Sequence, residues 1–499
     1  MGLLIGIDVG SSATKVGLFA ENGKALAVSS SSYPTEEPSP GYKEQDPELW
    51  WRAAVDGIRH VLAGSARERI DAIAVVGHIS SFTFVDANGV PLRPAIGFQD
   101  QRAITELEQL YGTITRRDLA LHLRIDLPPA ATWPLPKLLW LQRHEPGTLE
   151  GAHCLLQAKD FVNFRLTGVF ASDPSSNRGM IDFETNRVSE PVFSAFGLSC
   201  NLIPPLFAPE QVIGAVSAQA ARETTLEIGI PVMAGWNDLN ACVLGSGAVE
   251  SGEFFDVAGT SEQVGVITEQ NHDVRELICA PFLPGKKLLY GVTSSGGGSL
   301  DWYSRASAMP VEKLIALAED TPAACEDLIF LPYLEGERAP IWDAYAAGAF
   351  VGLRTRHHQG HFVRAILEGV AFSLLQVLQL LGQHTICDQP IVISGGPSRI
   401  KLWNQIKADA WQRRTCRLRN PQAGVLGAAI LAAVGSGKYE TLEAAARTMA
   451  ELGDGFEPDP LIHEQYWERY ERFCALYKVL QPWFSRAVEN TRSGREVHV

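Results

Sequence analysis

The residues best able to do chemistry together stand near the N-terminus. In GIDVGSSATKVGLF, from Gly6 to Phe19, Asp8 lies at the end of an apolar run, Gly10, Ser11 and Ser12 make a turn, and Lys15 opens the next run. Successive backbone N–H groups in such a turn converge on phosphate oxygens, the hydroxyls add donors, and the ammonium adds positive charge. Asp8 offers oxygen ligation to Mg²⁺ held through water. An ordinary hairpin whose aspartate accepts backbone hydrogen bonds uses the same residues, and this stretch alone does not choose between the two. FFDVAGTSEQVGVI, from Phe254 to Ile267, repeats the arrangement with Gly259, Thr260 and Ser261 in the turn. A pair of such turns suits the two sides of a polyphosphate. SSGGG from Ser294 to Gly298, with Gly297 inside it, and SGG, ending in Gly395 and Gly396, add two more places where backbone can approach a ligand closely.

Phosphoryl transfer to an alcohol needs a base near the acceptor hydroxyl. Asp238, in AGWNDLNACVLGSG, stands at a strand-to-helix junction, where a carboxylate either takes that proton or caps the following helix. His78, in GHISS, is either a hydrogen-bonding group for a polyol or a structural histidine near a strand end. His357, His358 and His361 have metal-like spacing, but Arg354, Arg356 and Arg364 beside them disfavour a bound cation. Other phosphate patterns fail. Near Gly437-Lys438 a P-loop is broken by Ala432 and Tyr439, and the N-terminal turn leads to a second strand rather than to the helix of a dinucleotide fold.

This chemistry needs strands that end at turns, and the patterning supplies them. LLIGIDVG and KVGLF read as strands, with Asn22-Gly23 reversing the chain after them. DAIAVVGHISSFTFVD reads as strand, loop and strand, and PLPKLLWLQRHEP as a helix between prolines. In GHFVRAILEGVAFSLLQVLQLL the residues Val363, Ile366, Val370, Leu374, Val377 and Leu381 recur at three- and four-residue steps, the stripe of a long core helix. IVISGG reads as a strand ending in a diglycine turn, and LWNQIKADA as a helix. Such alternation implies an α/β protein, and the two Gly-hydroxyl stretches imply two versions of one β-rich unit. After about Tyr439 the pattern changes to short helical pieces, with WERYERFCALYKVL packed back on the body and RSGREVHV a frayed end.

A chain of 499 residues exceeds a single core, so two or three domains are expected. Its net charge of -14 argues against nucleic acid or an acidic membrane surface as partner. No secretory leader is legible before Asp8, and VLGAAILAAVG is too short to span a bilayer. The 8 cysteines lack CxxC spacing and read as free thiols. These features lead us to expect a cytoplasmic protein.

Together with PGYKEQDPELWW, KDFVNFRLTG, FLPYLEGERAPIWD, LEGVAFS and GGPSRIKLWNQIKAD, these stretches resemble the FGGY carbohydrate kinase family, and within it the xylulokinases. The resemblance runs from about Leu3 to Gly437. It implies two ribonuclease-H-like domains of the actin/hexokinase ATPase type with a central cleft: 1–245 binding sugar and carrying the first phosphate loop, 246–440 binding nucleotide, and 441–499 a helical tail. The resemblance places Asp8 near Mg²⁺, Ser11, Ser12 and Lys15 at the first phosphate loop, Gly259 and Thr260 at the second, and Gly297, Gly395 and Gly396 at the nucleotide. It makes Asp238 the base, with ATP as donor. His78, Ile79, Phe98 and Asp100, the last two from GFQDQRA, would line the acceptor pocket; Asp100 otherwise reads as a helix cap with Arg102 in solvent.

Several positions depart from the family pattern. Gly77-His78-Ile79-Ser80 stands where xylulokinases have Gly-Gln-Met-His, and the Arg-Glu pair of glycerol kinases is absent. GWNDLN replaces GGGDN, and Pro397 replaces the third glycine of GGG. GTSE replaces GTSG, so that Glu262 either alters contacts near the cleft or faces solvent. D-xylulose is the expected acceptor, with other pentuloses, a tetritol or an aldonic acid as alternatives and a homodimer suggested by the family. A nucleotide-regulated sugar-binding protein without turnover and an actin-like assembly protein are the competing functions.

Overall fold

The apolar run at the N-terminus is buried on both faces, the signature of a central strand. The computed structural model describes residues 2–63, 69–382 and 389–492, and the chain divides into two units. In the first, Leu3–Val9 pairs antiparallel with Ala13–Ala20, which pairs antiparallel with Ala25–Ser32. On its other side Leu3–Val9 lies parallel to Ile70–Gly77, followed by parallel Pro231–Met233 and an antiparallel edge, Val212–Ala215. A smaller sheet, in the order Glu44–Gln45, Ala95–Ile96, Phe82–Val85 and Cys154–Gln157, carries the loops that follow His78 and Gly97. Helix Pro47–Leu62 starts at Asp46, whose carboxylate accepts from Glu48 N at 3.0 Å, and buries Trp50 and Trp51.

The second unit repeats the order. Phe254–Ala258 pairs antiparallel with Glu262–Thr268, and that strand with Lys287–Thr293; on the other side come parallel Ile391–Gly395, parallel Thr415–Leu418 and an antiparallel edge, Leu452–Phe456. Two copies of one β-rich frame are therefore present, as the paired turns imply, although a further strand, Ile278–Pro281, extends the second sheet. Helix Gln359–Gly382 is long and apolar enough to cross a membrane, but 78% of its apolar window is buried in the protein, as a core helix is.

The chain does not divide into the three consecutive segments expected. Ala423–Glu451 belongs to the first unit, and Leu452–Val499 to the second. The small residues of AGVLGAAILAAVG explain the first return. They let helix Ala423–Gly435 approach helix Asp238–Gly245 and strand Leu3–Val9 at backbone distance: a Cβ on Gly427 would lie 2.0 Å from Ala241 O, and one on Gly6 2.1 Å from Val425 O. The tail is also not wholly helical. Leu452–Phe456 is an edge strand whose Gly453 and Gly455 give no strand signal, and helix Pro460–Arg492 follows. Cys387 and most of RSGREVHV lie outside the described residues; the seven described cysteines are free.

A buried ion cluster braces the second sheet. Lys407, on helix Lys401–Trp411, donates to Asp256 Oδ2 at 2.6 Å and to Glu262 Oε1, and all three side chains are almost wholly out of solvent. Glu262 thus does not face solvent; it closes a salt bridge beneath the turn at Gly259. Burial, with Asp256 beside it, pushes its carboxyl well above the usual range, opposed by Lys407.

Two substitutions test these supports. Gly427→Ala should overpack the helix contact and destabilise the first unit by about 1–3 kcal/mol, seen as a lower thermal midpoint. Lys407→Met should leave two buried carboxylates without their cation and cost about 3–5 kcal/mol in denaturant unfolding. An unchanged unfolding midpoint in either variant would refute the corresponding support.

Candidate functional site

Three parallel strands of the first unit end in register. Val9 lies opposite Gly77, and Gly77 forms a parallel bridge with Asn237, so the Gly10 turn, His78 and Asp238 emerge along one sheet edge. Ligands of parallel α/β sheets gather at this C-terminal edge.

Asp238 is the first residue of its helix but not its cap. Asn237 takes that duty, accepting from Asn240 N at 2.9 Å, while Asp238 Oδ1 accepts from Leu239 N at 2.8 Å. Burial, and next the charge of Asp8, push the Asp238 carboxyl up to about 7; Arg178 opposes them. Asp8 lies opposite Lys15 in the strand pair. Its carboxyl is likewise raised by burial and lowered by Lys15, and its Oδ1 is buried without a hydrogen-bond partner. A Cβ on Gly424 would lie 2.7 Å from Asp8 Oδ2, so a larger residue there would displace the carboxylate. An orphaned carboxylate oxygen beside a second acid fits a hard cation such as Mg²⁺, which binds one or two carboxylates and keeps much of its water. The turn itself is pinned from outside: Tyr33 OH donates to Gly10 O at 2.5 Å and Gln45 Nε2 to Ser11 O at 2.7 Å, leaving Ser12 exposed.

The acceptor candidates separate into two groups. His78 is buried with Nδ1 2.7 Å from Val9 O, and burial pushes its ring down to about 4, so it is neutral at pH 7 with Nε2 unpartnered. Phe98 lies edge-on to it at 6.1 Å, and Phe98 and Ile79 keep part of their surface exposed. Asp100 is different. It is wholly buried, takes Arg102 on both oxygens at 2.8 Å and accepts Lys43 N at 2.6 Å, so its lone pairs are spent inside the protein rather than on a sugar. Arg102, expected in solvent, has a side chain only 1% exposed and also reaches Glu44 at 2.8 Å. Trp236, the bulky departure beside Asp238, stacks on Phe282 at 5.3 Å.

In the second unit Ala258 and Gly395 are register neighbours, which brings the turns after them together. Gly297 N donates to Gly259 O at 2.8 Å, and Gly296 N and Gly298 N donate to Thr260 O at 2.8 and 3.0 Å. A Cβ on Gly297 would lie 2.9 Å from both Gly259 O and Pro397 Cγ, so the three glycine turns touch one another. Gly395 has φ of 89°, and a Cβ there would meet Ala258 O at 1.9 Å; one on Gly396 would enter open space. Glu337 of the FLPYLEGERAP stretch accepts from Ser294 N at 2.5 Å and fixes the start of the SSGGG loop.

Sequence reading missed the polar support behind Asp238. Lys159 bridges Asp160 at 2.6 Å and Asp173 at 3.0 Å, and donates to Ala234 O at 3.0 Å. Ser175 Oγ donates to Asp173 and accepts from Asn237 Nδ2 at 2.8 Å, which closes the chain at the helix cap. The signal was the KD pair followed by SDPSSN, a polar cluster too dense to be an ordinary loop. Among the described residues no group of three or more His, Cys, Asp or Glu could hold a metal, so the histidines at 357, 358 and 361 do not form such a site. A cavity of about 960 Å³ lined by Phe170, Arg187, Asn201 and Leu206 contains none of the predicted residues.

The N-terminal domain of the FGGY family of carbohydrate kinases matches residues 3–245, and its C-terminal domain residues 256–436. The chain is 32% identical over 498 residues to the xylulose kinase of Bacillus subtilis (strain 168), covering 96% of each chain. The ligand-bound xylulose kinase of Lactobacillus acidophilus superposes with a TM-score of 0.88 at 25% identity, over 97% of this chain and 100% of the other. The gluconate kinase of the same organism gives 0.87 at 25% identity, over 97% and 99%. The chain belongs to the FGGY family of carbohydrate kinases.

Proposed function

We propose that this protein transfers a phosphoryl group from Mg²⁺-bound ATP to a hydroxyl of a small sugar, with D-xylulose as acceptor and D-xylulose 5-phosphate as product, on two ribonuclease-H-like ATPase domains. The observation that carries the reading is Asp238: a half-buried carboxyl freed from helix capping by Asn237 and raised toward neutrality next to Asp8. A carboxylate so placed takes the hydroxyl proton as the nucleophile forms. The cation, held by Asp8 through water, would offset phosphate charge and favour the ionised form of both acids. Ser11, Ser12 and Lys15 would serve one side of the polyphosphate, and Gly259, Thr260, Gly297, Gly395 and Gly396 the other.

A neutral acceptor is favoured over an aldonic acid by charge. Arg102 and Lys137, the cations packed against the acceptor loops, are both buried; Arg102 is bound to Asp100 and Glu44, and Lys137 to backbone carbonyls. Neither is left to meet a carboxylate. The neutral His78 and the partly exposed Ile79 and Phe98 suit hydroxyls and a carbon skeleton instead.

ADP release should depend on acceptor across a panel of ketoses, polyols and aldonic acids, with D-xylulose best. Asp238→Asn should lower kcat by about 10²- to 10⁴-fold while acceptor binding, followed by calorimetry, persists. Acceptor binding without acceptor-dependent ADP in the unsubstituted protein would favour the sugar-binding reading, and gluconate as the best acceptor would overturn the charge argument.

A further inference from the structure

The acceptor loops are joined through a residue that touches no solvent. Lys137, on helix Pro134–His144, is wholly buried, and its Nζ donates to Ser80 O at 2.9 Å and to Gly97 O at 2.7 Å. Ser80 holds a left-handed φ of 63° in the turn after His78 and Ile79. Gly97 immediately precedes Phe98. A second link runs in parallel, from Phe98 N to Ser81 Oγ at 2.8 Å. No carboxylate bonds the ammonium directly: Asp100, the acid whose charge favours it, is engaged by Arg102, and the Phe82 ring lies 5.9 Å from Nζ. A buried ammonium with only carbonyl partners is costly. Burial pushes Lys137 down to about 7, and a methionine would fill the space with no polar group to satisfy, so the amine is explained by the two carbonyls it holds together.

We propose that Lys137 is a positioning residue for acceptor recognition: by bonding the carbonyls of Ser80 and Gly97 it fixes the distance between the His78–Ile79 turn and Phe98, and so the width of the acceptor pocket. This rests on the reading that those side chains face the acceptor. Lys137 touches no reacting atom. Its effect passes through the two loops, and it belongs wholly to the first unit.

The test compares full-length Lys137→Met and Ser81→Ala proteins with the unsubstituted chain, by steady-state kinetics and by hydrogen–deuterium exchange. Lys137→Met should raise the acceptor KM by about tenfold or more, as slight misplacement of a binding group does, and leave the ATP KM within about twofold. Exchange should rise in peptides covering 78–81 and 97–100 but not in those of the second unit. Ser81→Ala, which removes one neutral link and no charge, should shift acceptor KM and exchange in the same direction by less, and keeps the test valid if the methionine variant folds poorly. Equal rises in both KM values, or exchange that rises across the whole first unit, would reduce Lys137 to a structural prop and overturn the proposal. If the unsubstituted protein turns over no acceptor, the kinase reading fails, and exchange confined to the two loops then decides whether Lys137 sets their spacing.

Discussion

Two half-buried carboxyl groups near one another set the terms for the first unit. Asp8 and Asp238 sit at the ends of two parallel strand paths flanking Ile70–Gly77, each raised by burial, and the charge of Asp8 raises Asp238 further. Such a pair is tolerable where positive partners are close. Lys15 and Arg178 supply the charge. Gly424 leaves room for Asp8, since a Cβ there would lie 2.7 Å from Oδ2. That contact joins the close backbone approaches at Gly427 and Gly6 by which helix Ala423–Gly435, distant in sequence, packs into the first unit.

The second unit uses the same sheet order for the opposite purpose. At its equivalent edge no acid pair is presented. The acids here, Asp256 and Glu262, point into the core and are bound by Lys407, while the edge itself carries glycine turns stitched by their own backbone. With charge turned inward, the glycine turns hold one another through their own N–H groups, Gly259 N donating to Ser261 O and Gly395 N to Pro421 O, both at 2.9 Å. One frame therefore gives two edges of different character, set by which residues stand at the strand ends.

That division was legible in the sequence where local chemistry decides structure. The apolar runs, the Gly-hydroxyl turns, the strand-to-helix junction at Asp238 and the long helix near 360–381 follow from patterning and turn chemistry, and all are present. What sequence could not supply was pairing across long separations. Asp100 was a plausible sugar ligand until Arg102 and Lys43 took its oxygens; Glu262 was free until Lys407, distant in sequence, was placed against it. Leu452–Phe456 was hidden because glycines at alternate positions erase strand periodicity, and its role as an edge comes from the neighbour it pairs with.

Four of the departures from the family pattern share a physical property. Ser80, Trp236, Asn237 and Glu262 are all buried, each held by a definite partner or a constrained backbone: a left-handed turn, a stacked ring, a helix cap and an ion pair. Substitution at such places alters a pocket by moving its walls rather than by adding a contact. Ile79 and Phe98, which keep exposed surface, are side chains with little hydrogen-bonding capacity of their own. On the proposed reading, where these side chains and the unpartnered Nε2 of His78 line the acceptor pocket, selectivity among neutral sugars would draw on shape, which a hydrophobic wall reads weakly unless its spacing is rigid. Buried polar ties would supply that rigidity: Lys137, bonded to two carbonyls, and the saturated Arg102–Asp100 pair both stand behind the same two short loops.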